Sequence, residues 1–258
     1  KTAYELGVRL VGSEMCIRDR PYSMSIIGST FEALKNNNSR ALVTYTVAGD
    51  PDLKESEKII ENIISSGADI IEIGVPFSDP MSEGPVIQLS HERSLKNKTS
   101  LEEILKLSKR LKKKFNKTPI VLMGYINGFL ANQSEFSNFS QHGVDGVIIV
   151  DVPGEYYLSD IGFQNDSILS VSLISPTTSK ERVSDICKAS SGFIYYITLR
   201  GVTGANKINV NEIHENLQTI KQTTDLPIHF HTHDTSGTSC LLYTSDAADD
   251  MQCVDLGG

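Results

Sequence analysis

An α/β fold, a (β/α)₈ barrel that stops after its seventh strand, is what this sequence predicts. Seven short β-branched runs alternate with stretches of helical period, which is the pattern of a parallel sheet. Several runs are almost entirely apolar, as strands covered on both faces should be. The 258 residues are a usual length for one such barrel. No Gly-x-Gly-x-x-Gly follows the first strand, which disfavours a doubly wound nucleotide-binding sheet.

The seven candidate strands are apolar runs bounded by glycine, proline or polar residues. In residues 147–150, for example, Val-Ile-Ile-Val supplies four apolar side chains in succession. An eighth strand and helix should follow the seventh run, but the sequence changes character there. The candidates are residues 41–48, 69–75, 119–125, 146–151, 168–174, 193–199 and 226–231.

Amphipathic helices are predicted before the first strand and between the others. Apolar residues recur at steps of three and four, which places them on one helix face. Ser100, with Glu103 three residues later, predicts a capping box at a helix start. The first helix is expected to plug one end of the barrel. The apolar positions are Ile27, Phe31 and Leu34; Leu53, Ile59, Ile60, Ile63 and Ile64; Leu101, Ile104, Leu105 and Leu111; and Val210, Ile213, Leu217 and Ile220.

Charge and hydropathy disfavour several classes of partner. Asp and Glu total 32 against 24 Lys and Arg, a formal net charge of -8. This balance argues against nucleic acid or an anionic membrane surface as the main partner. No apolar run approaches the ~20 residues that span a bilayer, and the first residues lack the pattern of a signal peptide. We therefore expect a cytoplasmic protein.

Both ends of the chain read as translated library adapters. Residues 15–19 and 240–245 back-translate largely to the two strands of one DNA element, so 1–20 and 240–258 are set aside as scar. The expected organisation is a non-native segment at 1–23, an incomplete barrel at 24–239 and a non-native segment at 240–258. Of four cysteines only Cys187 then remains, which fits a reducing compartment.

Glu72 is the first candidate for catalysis. It lies inside the apolar run Ile-Ile-Glu-Ile at 70–73, so alternation turns it away from the helices and toward the barrel interior. Burial raises the pKa of a carboxyl group, which suits a general acid and base near neutral pH. A structural carboxylate that caps a neighbouring strand is the alternative. Active sites of such barrels lie at the carboxyl ends of the strands.

Residues 71–80, Ile-Glu-Ile-Gly-Val-Pro-Phe-Ser-Asp-Pro, followed by Glu-Gly-Pro-Val-Ile-Gln at 83–88, resemble the signature of the tryptophan synthase alpha subunit. Further segments match in order: Ala-Gly-Asp-Pro at 48–51, Leu-Met-Gly-Tyr-Ile-Asn at 122–127, Gly-Val-Asp-Gly at 143–146 and Gly-Val-Thr-Gly at 201–204. The resemblance covers residues 24 to about 225. It implies a cytoplasmic lyase that cleaves indole-3-glycerol phosphate to indole and glyceraldehyde 3-phosphate. It also implies no metal or cofactor, and a beta-subunit partner in an α2β2 assembly.

The resemblance implies roles for matching residues. Glu72 takes the place of the carboxylate that moves protons between indole C3 and the substrate hydroxyl. Glu83 takes the place of a carboxylate that faces the indole nitrogen, but the family usually has aspartate there. The added methylene moves the carboxylate by about an ångström or more, a shift large enough to slow catalysis. The implied substrate-binding residues are Tyr45, Ile87, Tyr125, Ile148 and Tyr195, with Thr203 in a closing loop and Gly204 at the phosphate.

A second departure follows Leu-Pro-Ile at 226–228. Residues 226–237 resemble the metal-binding strand of the pyruvate carboxylase and hydroxymethylglutaryl-CoA lyase superfamily, and His231 and His233 have the spacing of a half-site. We interpret this as a chimeric junction. Two other hypotheses stay open: a metal-dependent carboxyltransferase or aldolase, and an inactive alpha-like module that binds a beta subunit. We expect the chain alone to be an inactive chimeric fragment that closes no stable barrel, because strands one and seven keep open edges.

Overall fold

The computed structural model describes residues 25–164, 167–197, 210–231 and 251–252. Each strand pairs in parallel with the next along the chain, so spatial order follows sequence order. This is the predicted barrel topology. The strands are β1 Val43–Val47, β2 Ile70–Gly74, β3 Ile120–Gly124, β4 Gly146–Ile149, β5 Leu169–Ile174, β6 Ile194–Ile197, β7 Ile228–His231 and β8 Met251–Gln252.

All seven predicted strands are confirmed, each shorter than its apolar run by one to three residues. The eighth strand is different. Met251 pairs with His229 and Gln252 with Phe230, so two residues of the expected non-native tail lie along β7. The expectation of a fully open β7 edge is therefore wrong at these two positions. Among the described residues, the ladder runs from β1 to β8 and does not return to β1.

Helices follow most strands, as the predicted alternation requires. The capping box at the start of α4 is confirmed, with Ser100 and Glu103 each bonded to the other's backbone N–H. The helices are α1 Ile26–Asn36, α2 Leu53–Ser65, α3 Pro85–Lys96, α4 Leu101–Lys114, α5 Ile126–Leu130, α6 Lys180–Ala189 and α7 Val210–Lys221, with 3₁₀ turns at Gln133–Asn138, Ser140–His142 and Leu158–Ile161. None of the helices in the described part of the chain has the length and apolar character to cross a membrane.

Apolar side chains pack in separate layers inside and outside the curled sheet. The outer layer joins alternate strand residues to α2 and α4, whereas the inner layer lies between the strands themselves. Ile27 and Phe31 of α1 belong to the inner layer, and the Phe31 ring meets the Phe193 ring edge-on at 5.7 Å. Helix α1 thus plugs the barrel as predicted, and the opposite end, where the strands finish, is left for the polar residues.

Candidate active site

Glu72 lies at the centre of β2 and faces the barrel interior, as the alternation predicts. Its neighbours Ile71 and Ile73 pack in the outer layer, whereas Ile70 packs in the inner one. Glu72 is 2% exposed. Among the described residues it is the only carboxylate buried so deeply. Acidic side chains are rarely buried to this extent in proteins.

Tyr45 of β1 lies beside Glu72 in the sheet register and reaches across the next inward position of β2. That position is Gly74, where a Cβ atom would lie 2.3 Å from the Tyr45 hydroxyl oxygen and 2.8 Å from its Cζ. A larger residue there would displace the Tyr45 ring. Gly74 therefore lets the phenol lie over the strand end, directly above Glu72.

A buried histidine on α3 joins Tyr45 to the loop that follows β2. His91 is 2% exposed, its Nδ1 accepts the N–H of Phe77 at 3.0 Å, and its Nε2 lies 3.4 Å from the Tyr45 hydroxyl. Burial lowers the pKa of His91 to about 4. The ring is therefore neutral near pH 7, with Nδ1 as acceptor and the proton on Nε2.

Tyr125, directly after β3, contacts the same loop from the other side. Its ring stacks on Phe77 with centroids 5.0 Å apart, and its hydroxyl oxygen accepts the N–H of Ser82 at 3.0 Å. Burial raises the pKa of Tyr125; the Ser82 N–H lowers it, and the Glu83 charge raises it again. The phenol is thus close enough to Glu83 for that charge to act on it.

Glu83, the second predicted carboxylate, is half-buried and lies two residues before α3. Its N–H donates to the Pro80 carbonyl at 3.1 Å, and its own carbonyl accepts the Gln88 side-chain amide at 2.9 Å. The backbone of Glu83 is thereby held from both directions. Ile87 lies in the first turn of α3, also half-buried.

The remaining described candidates line the inner layer farther around the sheet. Ile148 of β4 and Tyr195 of β6 are both buried there together with Met123. The Tyr195 ring lies 4.6 Å from the ring of His229 on β7, measured between centroids. The structure therefore gathers Tyr45, Ile148 and Tyr195 in the interior that Glu72 faces.

For two predicted residues and the possible metal pair, the structure describes a backbone position at most. Thr203 and Gly204 lie outside the described residues, as does His233, while His231 is described only as the last backbone position of β7. Within the described ranges no three His, Cys, Asp or Glu side chains come together in a metal-binding group.

His91 and His229 are site residues that the sequence reasoning missed. The signal for His91 was present: Ser90, His91 and Ser94 all face inward from α3, a polar set at helical spacing. Apolar spacing alone does not detect such a polar stripe. His229 lies next to the predicted metal pair and is 2% exposed in the barrel interior.

Comparison with known proteins gives one consistent result. The sequence model of the family described as tryptophan synthase alpha chain matches residues 31–231. The alpha chain of Thiobacillus denitrificans is 41% identical over 211 residues, which are 80% of this chain and 76% of that protein. The alpha chain of Marinobacter nauticus is 43% identical over 208 residues, covering 80% and 77%.

Solved structures show the same likeness in three dimensions. The crystal structure of the tryptophan synthase alpha subunit from Legionella pneumophila superposes with a TM-score of 0.77 at 32% identity. It covers 90% of this chain and 86% of that one. A structure from Aquifex aeolicus has a TM-score of 0.77 at 31% identity, covering 90% and 89%.

Proposed function

This chain belongs to the tryptophan synthase alpha chain family, and on that premise we propose that Glu72 is the proton-transferring residue of its lyase reaction. The reaction is the alpha-subunit cleavage of a carbon–carbon bond, from indole-3-glycerol phosphate to indole and glyceraldehyde 3-phosphate. The observation that supports the proposal is a carboxylate 2% exposed on the inner face of β2, beneath the Tyr45 phenol.

The chemistry asks for one proton to be delivered and another removed. Protonation of indole C3 converts the ring to an indoleninium, whose positive nitrogen draws electrons from the bond to the side chain. Loss of the hydroxyl proton on the adjacent carbon supplies those electrons as the bond breaks, and indole and an aldehyde result. A single carboxyl group between the two atoms performs both transfers and ends as it began. Glu72 has the required depth and seclusion from water.

We assign Glu83 to the developing positive charge on the indole nitrogen. A fixed anion stabilises that charge most where water is scarce, and Glu83 is half-buried and held through its backbone by Pro80 and Gln88. Tyr45, Ile87, Tyr125, Ile148 and Tyr195 are assigned to the indole pocket. Thr203 and Gly204 are assigned by family register to the closing loop and the phosphate. The reaction, as assigned, uses no metal and no cofactor.

The replacement Glu72→Gln tests the central assignment. The glutamine side chain keeps the size and hydrogen bonding of glutamate but lacks its titratable proton. The kcat should therefore fall by more than about ten-fold with little change in stability. Indole release is measured by indole fluorescence, since the chain contains no tryptophan. Glu55→Gln, on the exposed surface of α2, is the matched control. A Glu72→Gln variant that keeps more than a tenth of the wild-type kcat would overturn the assignment.

The replacement Glu83→Asp tests the second carboxylate. The pocket of the family is built for the shorter side chain, so this change should preserve or raise turnover. A hundred-fold fall in kcat would show instead that this pocket is adapted to glutamate. Addition of a chelator separates the lyase from a metal-dependent aldolase that uses His231 and His233, because only the latter loses activity.

We propose further that a beta subunit docks on the outward face of α3 and on the site loop, residues 75–84. Met81 is 72% exposed and Leu89 53%, and they lie beside a groove of about 760 Å³ lined by Phe77, Pro80, Leu95 and others. Exposed apolar area of this kind marks an interaction surface. The family works with a beta subunit, and this face is continuous with the loop that carries Glu83. Docking there would let the partner act directly on that loop.

Indole release with and without added beta subunit tests the docking proposal. Leu89→Lys should abolish the stimulation and leave basal turnover unchanged, whereas Lys106→Ala on the exposed face of α4, away from the groove, should alter neither. A chain that binds the beta subunit but releases no indole would be the inactive binding module. Unaltered stimulation in Leu89→Lys would place the partner elsewhere.

A further inference from the structure

We propose that His91 is a positioning residue for the lyase reaction, one that holds the site loop, residues 75–84, in the arrangement that places Glu83 and Tyr45. The inference rests on the proposed function. It concerns a residue outside the segments that carried the family resemblance. The supporting contacts are those of His91 and Gln88 with the loop, of His91 with Tyr45, and of Tyr125 with the far end of the loop.

The site loop is held near both of its ends. At its start, the Phe77 N–H donates to His91 Nδ1 at 3.0 Å. At its end, the Ser82 N–H donates to the Tyr125 hydroxyl oxygen at 3.0 Å. The stacked rings of Phe77 and Tyr125, 5.0 Å apart, connect the two attachment points. Displacement of Phe77 would therefore disturb the Tyr125 ring and, through Ser82, the residue next in the chain, Glu83.

Helix α3 supplies the fixed side of this arrangement. Gln88 and His91 lie three residues apart, hence on one helix face. Gln88 binds the Glu83 carbonyl at 2.9 Å, and His91 binds the Phe77 N–H. The same face also anchors the helix to β1, because the Ser94 hydroxyl donates to the Ala48 carbonyl at 2.6 Å. One rigid element thus sets the distance between the two parts of the loop.

The second nitrogen of His91 extends the control to Tyr45. With Nδ1 occupied as acceptor, the neutral ring carries its proton on Nε2 and directs it at the Tyr45 hydroxyl, 3.4 Å away. The Tyr45 phenol lies over Gly74, one inward position above Glu72. His91 therefore contacts both the site loop and Tyr45, and as a positioning residue it should act on kcat.

Two replacements of His91 that have similar shapes test the role of its Nδ1 as a hydrogen-bond acceptor. Asparagine places its Oδ1 where the histidine has Nδ1, so His91→Asn keeps an acceptor for the Phe77 N–H. Leucine places a methyl group there, so His91→Leu leaves that buried N–H without one. Loss of a hydrogen bond at this depth should lower kcat by about ten-fold or more in the leucine variant. The asparagine variant should stay within about three-fold of wild type and show a smaller response to Tyr45→Phe.

Hydrogen exchange of the Phe77 amide gives a readout that stability alone does not move. It should exchange faster in His91→Leu than in wild type or His91→Asn, while the amide of Ile71 in β2 keeps its protection. Equal kcat in the asparagine and leucine variants would overturn the proposal. So would a Phe77 amide that already exchanges at the rate of unprotected peptide in the wild-type chain, a measurement that holds even if the leucine variant fails to fold. A failure of Glu72→Gln to lose activity would reject the proposed function and leave the exchange result untouched.

Discussion

Helices α3 and α4 follow one another in the chain and are built on opposite plans. Helix α4 buries Leu101, Ile104, Leu105, Leu107 and Leu111 and exposes Lys106, Lys109, Lys113 and Lys114. Helix α3 buries Ser90, His91 and Ser94 and exposes Val86, Leu89 and Leu95. In α4 the apolar stripe faces the sheet, as in most surface helices. In α3 the polar stripe faces the sheet and the apolar residues face outward.

The buried faces of the two helices are therefore held by different kinds of contact. The buried face of α4 is held mainly by apolar contact, which imposes little directional constraint, so many similar side chains would serve there; its directed bonds, Arg110 to Glu57 and Lys112 to Asp145, lie away from the site loop's own attachments. Helix α3 is held by directed bonds: Ser94 to Ala48, His91 to Phe77, and the Arg93 guanidinium to both carboxylate oxygens of Asp50 at 2.6 and 2.7 Å. Such bonds fix distances closely, which a loop carrying a catalytic carboxylate requires.

Truncation of the α4 stripe should give the largest loss of stability. Ile104 is fully buried in the outer layer, and Ile104→Ala should lower the free energy of unfolding by about 3 kcal/mol, from lost transfer energy and the cavity left behind. Urea denaturation measures it. Turnover per folded molecule should stay at the wild-type level, because the side-chain hydrogen bonds that hold the site loop come from α3 and Tyr125. A selective fall in kcat would erase the distinction between the two helices.

Acid should reveal the cost of a buried histidine in α3. Burial lowers the pKa of His91 to about 4, while the unfolded chain titrates at the ordinary 6.5. The neutral form is favoured by folding, so this contribution is complete above pH 6.5 and is lost as the pH falls toward 4. Between pH 7 and pH 4.5 the wild type should lose about 2 kcal/mol of unfolding free energy relative to His91→Asn. Parallel pH curves for the two proteins would contradict this.

Removal of the α4 capping box should cost less. Ser100→Ala leaves the Glu103 N–H without its cap acceptor, and a loss of about 1 kcal/mol in unfolding free energy is expected. Ser100→Asp, which restores an acceptor, is the control. If both variants lose the same unfolding free energy, the hydrogen-bond acceptor at position 100 does not contribute to stability.

The smallest effect is expected on the outer face of α3. Leu89 is more than half exposed, so Leu89→Ser should change the unfolding free energy by no more than about 0.5 kcal/mol. The measurement is again urea denaturation, with Ile104→Ala alongside. A loss of several kcal/mol would mean that the outward apolar face is covered within this chain and is not available to a partner.

The strands and the apolar helices were predictable because their signals are local. Alternation around Glu72 indicated which way it faces, and the stripe of α4 and its capping box were legible in a few residues. Helix α3 was not predicted from periodicity. Its apolar residues point outward, so the usual stripe rule leads to the wrong face, and a neighbouring strand and loop decide its orientation.

What the sequence by itself determined is the barrel topology, the inward carboxylate of β2 and the family. What only the tertiary structure decided is the set of distances that make the site: the Tyr45 phenol over Gly74, the Phe77 N–H at His91 and the Ser82 N–H at Tyr125. The Tyr45–His91 and Ser82–Tyr125 pairs are separated by 46 and 43 residues. Local propensity carries no information about such contacts. They form only when the packing of the outer layer brings β1, β2, β3 and α3 together, and that packing sets the geometry of the site.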